Sequence, residues 1–386
     1  MDLDGKGFAT RCVHGFGGPD AATGAVVPPI SLATTFAQDG VGGLAAGFEY
    51  SRSGNPTRAV LEAHLATLEG GRYGFAFASG LAAEDALLRL VAPGDHVLLP
   101  DDAYGGTIRL ALKVHAPAGL AVDTVDLTDL DEVRAAWRPT TGMVWIESPT
   151  NPLLRIVDIA AISSIARDAG HGTVVAVDNT FATPALQQPL ALGADIVVHS
   201  ATKYLGGHSD VVGGAVVVDD HALAERIGFV QNAAGAVPSP FDCYLVLRGL
   251  RTLDLRMQRH CTSAAAVADA LASHPNVLEV RWPGLPSHPG HEVAAKQMRG
   301  FGGMVSFRVR GGEPAALEVC RRTQVFTLGE SLGAVESLIE HPARMTHASV
   351  AGTSNAVADD LIRLSVGIED PADLVADLRQ ALDAVR

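Results

Sequence analysis

Primary amines are scarce in this chain. Of 29 basic side chains among 386 residues, only Lys6, Lys113, Lys203 and Lys296 are lysines. Chemistry that needs an amine has four candidates, and Lys203 has the most telling surroundings. It stands in Ser200-Ala201-Thr202-Lys203-Tyr204, after the apolar run Ala194–Val198 and just before Gly206-Gly207. Two hydroxyls beside an amine, with glycines that let the backbone approach a ligand, suit an imine with an aldehyde that also carries a phosphate. A surface lysine in a turn is the plainer reading of this segment taken alone. Asp178, at the end of Val174–Val177 in Asp178-Asn179-Thr180, can keep a ring nitrogen protonated, although Asp-Asn also makes ordinary turns. Ser79-Gly80-Leu81-Ala82-Ala83 has the form of a strand-to-helix junction whose free N–H groups bind phosphate, or of a simple Ser79 cap. Tyr104, in Tyr104-Gly105-Gly106-Thr107, offers a ring for stacking and a hydroxyl for proton transfer, or is a loop tyrosine. Glu147-Ser148-Pro149-Thr150-Asn151-Pro152 adds an amide donor. Each segment is weak alone; an Asp at one strand end and a Lys at a later one are far more specific together.

The elements that must position these residues follow from short apolar runs: Phe75–Ala78, His96–Leu99, Met143–Ile146, Val174–Val177, Ile196–Val198 and Ala215–Val218. Each is bounded by Gly, Pro, Asp or Ser. Helical stretches such as Leu81–Val91 and Ile159–Ala169 alternate with them, which predicts a mostly parallel sheet covered on both faces. Ligands of such sheets collect beyond the carboxyl ends of the strands, where the polar residues above fall. Before this region, residues 1–60 are Gly- and Pro-rich, with turns at Pro28-Pro29 and Gly54-Asn55-Pro56, and read as an arm lying on another surface; a helix follows from about Ala59 to Glu69. After it, a helical pattern from Asp242 to Ser273 leads to strand-like runs at Met304–Val309, Gln324–Leu328 and Ile362–Val366. The expected division is an arm over 1–60, a ligand-binding α/β domain over 61–250 and a smaller C-terminal α/β domain over 251–386.

Bulk properties narrow the class. Hydrophobic residues make up 47% and charged residues 19%, the balance of a compact globular enzyme. A net charge of −14 opposes nucleic acid and anionic membranes as partners. Cys12, Cys243, Cys261 and Cys320 form no CxxC pair, so free thiols are expected and a metal is not. The acidic opening lacks the pattern of a signal peptide, and no run approaches the ~18 apolar residues of a membrane span; the expected location is the cytoplasm. His208-Ser209-Asp210 has the inventory of a hydrolase triad, but adjacent residues do not readily converge on one substrate and no GxSxG elbow is nearby. Gly40-Val41-Gly42-Gly43 lacks the helix and acidic residue of a dinucleotide site.

With these residues in hand, the chain resembles the pyridoxal-phosphate enzymes of Cys/Met metabolism: cystathionine γ-synthases, cystathionine γ-lyases and methionine γ-lyases. The similarity runs in order through Tyr50–Arg58 (YSRSGNPTR), Ser79–Ala83, Tyr104–Thr107, Glu147–Pro152, Val177–Phe181, Ser200–His208 (SATKYLGGH), Glu330–Thr346 (ESLGAVESLIEHPARMT) and Arg363–Glu369 (RLSVGIE). It implies the fold-type I architecture shared with aspartate aminotransferase, and pyridoxal 5′-phosphate as cofactor. Lys203 would be the Schiff-base lysine and proton shuttle, and Asp178 the pyridinium partner. Tyr104 would stack on the ring, Asn151 would meet the ring hydroxyl, and Thr180 would add to the cofactor site. Gly80, Leu81, Ser200 and Thr202 would bind phosphate. Tyr50 and Arg52 would reach that phosphate from an adjacent subunit, so a homo-oligomer is implied, a tetramer built from dimers that share active sites. Arg363 would grip the α-carboxylate of a small amino-acid substrate in bidentate fashion, with Ser331, Asn151 and Arg109 also on the substrate.

The implied chemistry is γ-elimination or γ-replacement on sulfur amino acids, with Lys203 and Tyr104 sharing proton transfers at lowered pKa values. Glu330 and Glu49 resemble the acidic residues with which γ-synthases and γ-lyases meet the distal ammonium of cystathionine; β-lyases tend to lack the carboxylate. Methionine γ-lyases usually have cysteine where this chain has Gly106, which keeps methionine as the second reading. Ala334 stands where the family often has a glycine. A non-catalytic cofactor-binding scaffold is the alternative of another class, opposed by the intact Lys203, Asp178 and Arg363.

Overall fold

The computed structural model describes residues 3, 5–347 and 357–385. Asp2 and Asp4, on which the expectation of no signal peptide partly rests, lie outside the described residues. Seven strands form the larger sheet: β1 (Tyr73–Phe77), β2 (His96–Pro100), β3 (Ala121–Val125), β4 (Thr141–Glu147), β5 (Val174–Asp178), β6 (Ile196–Ser200) and β7 (Gly214–Val218). Their order is β1-β7-β6-β5-β4-β2-β3. Only β7 runs against its neighbours; the other pairings are parallel. Buried on both faces, β2 and β7 have no exposed residue, which is why they read as unbroken apolar runs. Because β4, β5 and β6 are parallel, their carboxyl ends bring Glu147, Asp178 and Ser200 to one edge, with Glu147 directly opposite Asp178.

The sheet edge is prepared by helix starts. Ser79 Oγ accepts from the N–H of Ala82 at 3.0 Å and opens the helix Gly80–Leu88. The helix Pro56–Glu69 begins earlier than its apolar periodicity predicts. Asn55 caps it by accepting from Thr57 and Arg58, and Pro56 supplies the first turn, so the apparent turn Gly54-Asn55-Pro56 is a helix start. Part of the arm packs on its own chain. Its helix Phe8–His14 buries Cys12 in the core of this same chain, beside Leu61, Leu65 and Met257. All four cysteines are free.

The second sheet contains β8 (Val277–Arg281), β9 (Met304–Val309), β10 (Thr327–Leu328), β11 (Leu338–Glu340) and β12 (Leu361–Ser365), in the order β10-β11-β12-β9-β8. Helices Leu253–Ala272, Gly312–Arg322 and Pro371–Asp383 close its core around Phe307, Ile362 and Leu364. Two expectations need correction. The pattern from Asp242 to Ser273 is two helices, Pro240–Leu250 and Leu253–Ala272. Arg256 Nη2 takes the carbonyl of Gly249 at 2.8 Å, an acceptor a continuous helix would need. The run Gln324–Leu328 is strand only at its end, because the amides of Gln324, Val325 and Phe326 donate to the carboxylate of Asp377 rather than to a ladder. Among the described residues no helix is long and apolar enough to cross a membrane.

Candidate active site

A cavity of about 320 Å³ opens where the carboxyl edge of the larger sheet meets the loop before β11. Gly80, Leu81, Tyr104, Asn151, Asp178, Thr180, Ser200, Thr202, Lys203, Glu330, Ser331 and Arg363 all line it. Residues scattered over most of the chain are therefore brought to one space by strand direction and by the second sheet. Lys203 Nζ donates to Ser331 Oγ at 2.8 Å. Burial pushes the amine down to about 8; Arg363 pushes the same way, while Glu340 and Glu330 oppose it. Ser331 has φ 96°, a left-handed conformation unusual for a side chain larger than glycine. In that conformation its Oγ meets Lys203 and its carbonyl accepts from Arg363 Nη2 at 3.0 Å.

The opposite wall is acidic. Asp178 accepts from the N–H of Thr180 at 2.9 Å, and Thr180 Oγ1 accepts from the N–H of Ser200 at 2.8 Å, a strap joining the ends of β5 and β6. Burial raises the Asp178 carboxyl, opposed by the Thr180 bonds. Glu147 accepts from the N–H groups of Tyr104 (2.8 Å) and Asn151 (2.7 Å) and so holds two candidate site residues by their backbones. Glu84, from the helix after Ser79, also faces the cavity, pushed up to about 8 by burial and then by Asp178. Neither Glu147 nor Glu84 was assigned a role from sequence. A spacing of four residues from Gly80, on one face of the helix, could have signalled Glu84.

The other candidates differ in their surroundings. In the chain by itself, burial and then Glu84 push the Tyr104 hydroxyl up, against Arg109 and Arg363; the lowered value expected of it belongs beside a cationic cofactor. Arg109 is exposed on the helix Gly105–Leu110, whose buried side is Gly105–Ile108, and it does not line the cavity. Glu49, Tyr50 and Arg52 lie outside this cavity as well; Arg52 Nη1 donates to Asn232 O at 2.6 Å and Asn232 Oδ1 at 2.9 Å. Thr202 lines the cavity, but its hydroxyl exchanges hydrogen bonds with Gly213. Arg363 is in place and is not a free fork: Nη1 donates to Asn151 Oδ1 at 2.8 Å and lies 3.0 Å from Glu340 Oε1.

The donor set fits a flat aldehyde bearing a phosphate and a basic ring nitrogen. At the start of the helix Gly80–Leu88 the cap occupies Ala82 N–H, which leaves the N–H groups of Gly80 and Leu81 for an anion. A Cβ on Gly80 would stand 3.0 Å from Ser200 Cβ, so glycine keeps that cradle open. Asp178 would supply an anion for a ring nitrogen, and Lys203 the amine. This constellation on a mostly parallel sheet defines an enzyme that works through pyridoxal phosphate. More narrowly, the chain belongs to the Cys/Met metabolism PLP-dependent enzymes, whose sequence profile matches residues 9–383. It is 62% identical to a cystathionine gamma-synthase of Mycobacterium tuberculosis over 98% of this chain and 97% of that one. It is 53% identical to a cystathionine beta-lyase of Coxiella burnetii over 97% of each. A solved cystathionine gamma synthase from Xanthomonas oryzae pv. oryzae, in complex with cystathionine, superposes with a TM-score of 0.94 at 47% identity over 98% of both chains.

Proposed function

We propose that the chain performs the γ-replacement step of transsulfuration, in which the thiol of cysteine replaces the acyloxy group of an O-acyl homoserine, giving cystathionine and the free carboxylate of the acyl group. The γ-elimination of cystathionine shares the loss of the γ-substituent, but no nucleophile then adds at the γ-carbon, and hydrolysis gives an oxoacid and ammonia. The observation that carries the reading is the junction at Ser331, which ties the amine of Lys203 to the guanidinium of Arg363 within one cavity. That spacing suits a substrate with a carboxylate and a reacting α-carbon side by side. The gamma-synthase relative supports the reaction class.

Bound pyridoxal phosphate supplies an electron sink for charge that develops at the substrate α-carbon. The protein does the rest. Arg363 fixes the carboxylate, and the amine of Lys203, brought toward neutrality by burial, takes the α-proton and returns protons along the chain. Asp178 holds a proton on the ring nitrogen. Asn151, its amide oxygen committed to Arg363, keeps its NH₂ for the ring hydroxyl. Glu330 lines the cavity and is exposed, placed to meet a distal ammonium near the mouth.

Gly106 weighs against methionine as the main substrate. A Cβ there would lie 2.3 Å from Tyr104 Cε1, so the cysteine usual in methionine γ-lyases would displace this tyrosine. The half-exposed Tyr50 and the exposed Arg52 fit a dimer in which each reaches the neighbour's phosphate, within a cytoplasmic tetramer. Product analysis with cystathionine, methionine, homocysteine, and O-acyl homoserine plus cysteine tests the proposal. Cystathionine formed from the last pair is the expected result. Homocysteine and pyruvate released from cystathionine as the main products would instead mark a β-lyase, and a preference for methionine would mark a methionine γ-lyase.

A further inference from the structure

The substrate-facing arginine of this site already has a carboxylate on it. β11 and β12 are antiparallel, and their register sets Glu340 directly opposite Arg363. Directly opposed residues in such a pair are close enough for their side chains to interact. Glu340 Oε1 lies 3.0 Å from Arg363 Nη1, with the two side chains 1% and 2% exposed. The same Oε1 accepts from Thr346 Oγ1 at 2.8 Å, while Oε2 is buried without a hydrogen-bond partner. The ion pair is therefore fixed by strand register, sealed from solvent and turned into the cavity through Arg363.

From this we infer that Glu340 is a positioning residue, the resident counter-ion of Arg363, which limits how tightly the guanidinium holds a substrate carboxylate and so permits product release. The inference rests on the reading of Arg363 as the carboxylate site. An incoming carboxylate must share one buried cation with an anion that cannot leave, and two anions around one cation repel each other at low dielectric. A site with a bare arginine would bind more tightly and release more slowly. Without a partner, the buried cation would also carry a large desolvation cost.

The charged and titratable groups facing Glu340 are Arg363, Lys203 and Glu330 on the cavity side, with Cys320 of the helix Gly312–Arg322 on the other. Those acting on Lys203 are Arg363, Glu340 and Glu330. Removing the negative charge of Glu340 without changing its shape must therefore move two quantities in set directions. The test uses holoenzyme, the variant Glu340→Gln and butyrate, a carboxylate with no amine. Butyrate should compete about tenfold more tightly with Glu340→Gln than with wild type, the scale of one nearby charge. The pH midpoint of the bound cofactor's absorbance should fall, because the Lys203 nitrogen loses an anion that favours its protonated form. Glutamine could prop Arg363 as well as glutamate does, so a merely structural role would leave both readouts unmoved. Unchanged or weaker butyrate binding would overturn the inference. If Glu340→Gln does not fold, Thr346→Val, which removes the hydrogen bond that stabilises this charge, should shift both readouts the same way by a smaller factor, and no shift there would overturn the inference equally. A failure of the Arg363 reading looks different: butyrate would compete equally with wild type and Arg363→Lys.

Discussion

The amine of Lys203 and the hydroxyl of Ser331 lie 2.8 Å apart across the seam between the two sheets' loops. Because burial brings this amine down to about 8 from 10.5, the neutral form is present above that value and lost below it. At pH 7 roughly a tenth of the amines would be neutral, against about one in three thousand for a free lysine. Attachment of pyridoxal phosphate to the cofactor-free protein should therefore level off a little above pH 8 in stopped-flow absorbance. A rate that kept climbing to pH 10 would contradict the burial argument. Borohydride reduction of the yellow holoenzyme should tag Lys203 and not Lys6, Lys113 or Lys296.

Glu147 is the internal brace of the site. Its oxygens take the backbone N–H groups of Tyr104 and Asn151, and burial, with Asp178 adding to it, raises its carboxyl well above the usual range. Glu147→Ala would leave one buried and one partly buried donor without acceptors, which should destabilise the protein by about 2–4 kcal/mol in urea unfolding. Cofactor affinity should fall as well, because Tyr104 and Asn151, both lining the cavity, lose their common anchor. A variant of unchanged stability would show that water or relaxation readily replaces the carboxylate.

Much of this site could be read from sequence because its residues follow strands. Asp178, Ser79 and Lys203 each end or closely follow an apolar run, and parallel strand direction alone gathers them. Glu340 was invisible for the opposite reason. Its importance depends on a register between two short strands, and β11 has only three residues. Arg109 stands on a helix of six residues, too short for periodicity to tell which side faces the cavity of its own chain. The break at Gly249 depends on Arg256 reaching back for a carbonyl, a tertiary bond that no local pattern encodes.

Arg52 and Tyr50 stand outside the cavity of their own chain, and the only stacking partner found for Tyr50 among the described residues is Arg52, 5.8 Å from its ring centroid. In the assembled enzyme Arg52→Ala should release pyridoxal phosphate faster, while thermal unfolding changes little; the exposed bonds to Asn232 contribute weakly to stability. Sedimentation should show the active species to be a dimer or tetramer. A fully active monomer, or unaltered cofactor retention in Arg52→Ala, would remove these residues from the site.

Glu330 offers the sharpest test of substrate choice. It lines the cavity but is exposed, so a contact with the distal ammonium of cystathionine is partly screened by water. Charge-assisted hydrogen bonds contribute roughly 1.5–3 kcal/mol when shielded, and exposed ion pairs about 1 kcal/mol or less. A group at the cavity mouth falls between these limits. Glu330→Ala should therefore lower kcat/KM for cystathionine by about tenfold. Methionine has no distal ammonium, so its kcat/KM should fall much less in the same variant. The informative quantity is the ratio of the two losses, which cancels any general damage to folding or cofactor binding. Equal losses would make Glu330 a structural residue of the loop before Ser331 and would undo the argument for a cystathionine-sized substrate. Glu330→Gln should resemble Ala in this ratio, because the amide keeps the size but not the charge that the ammonium needs.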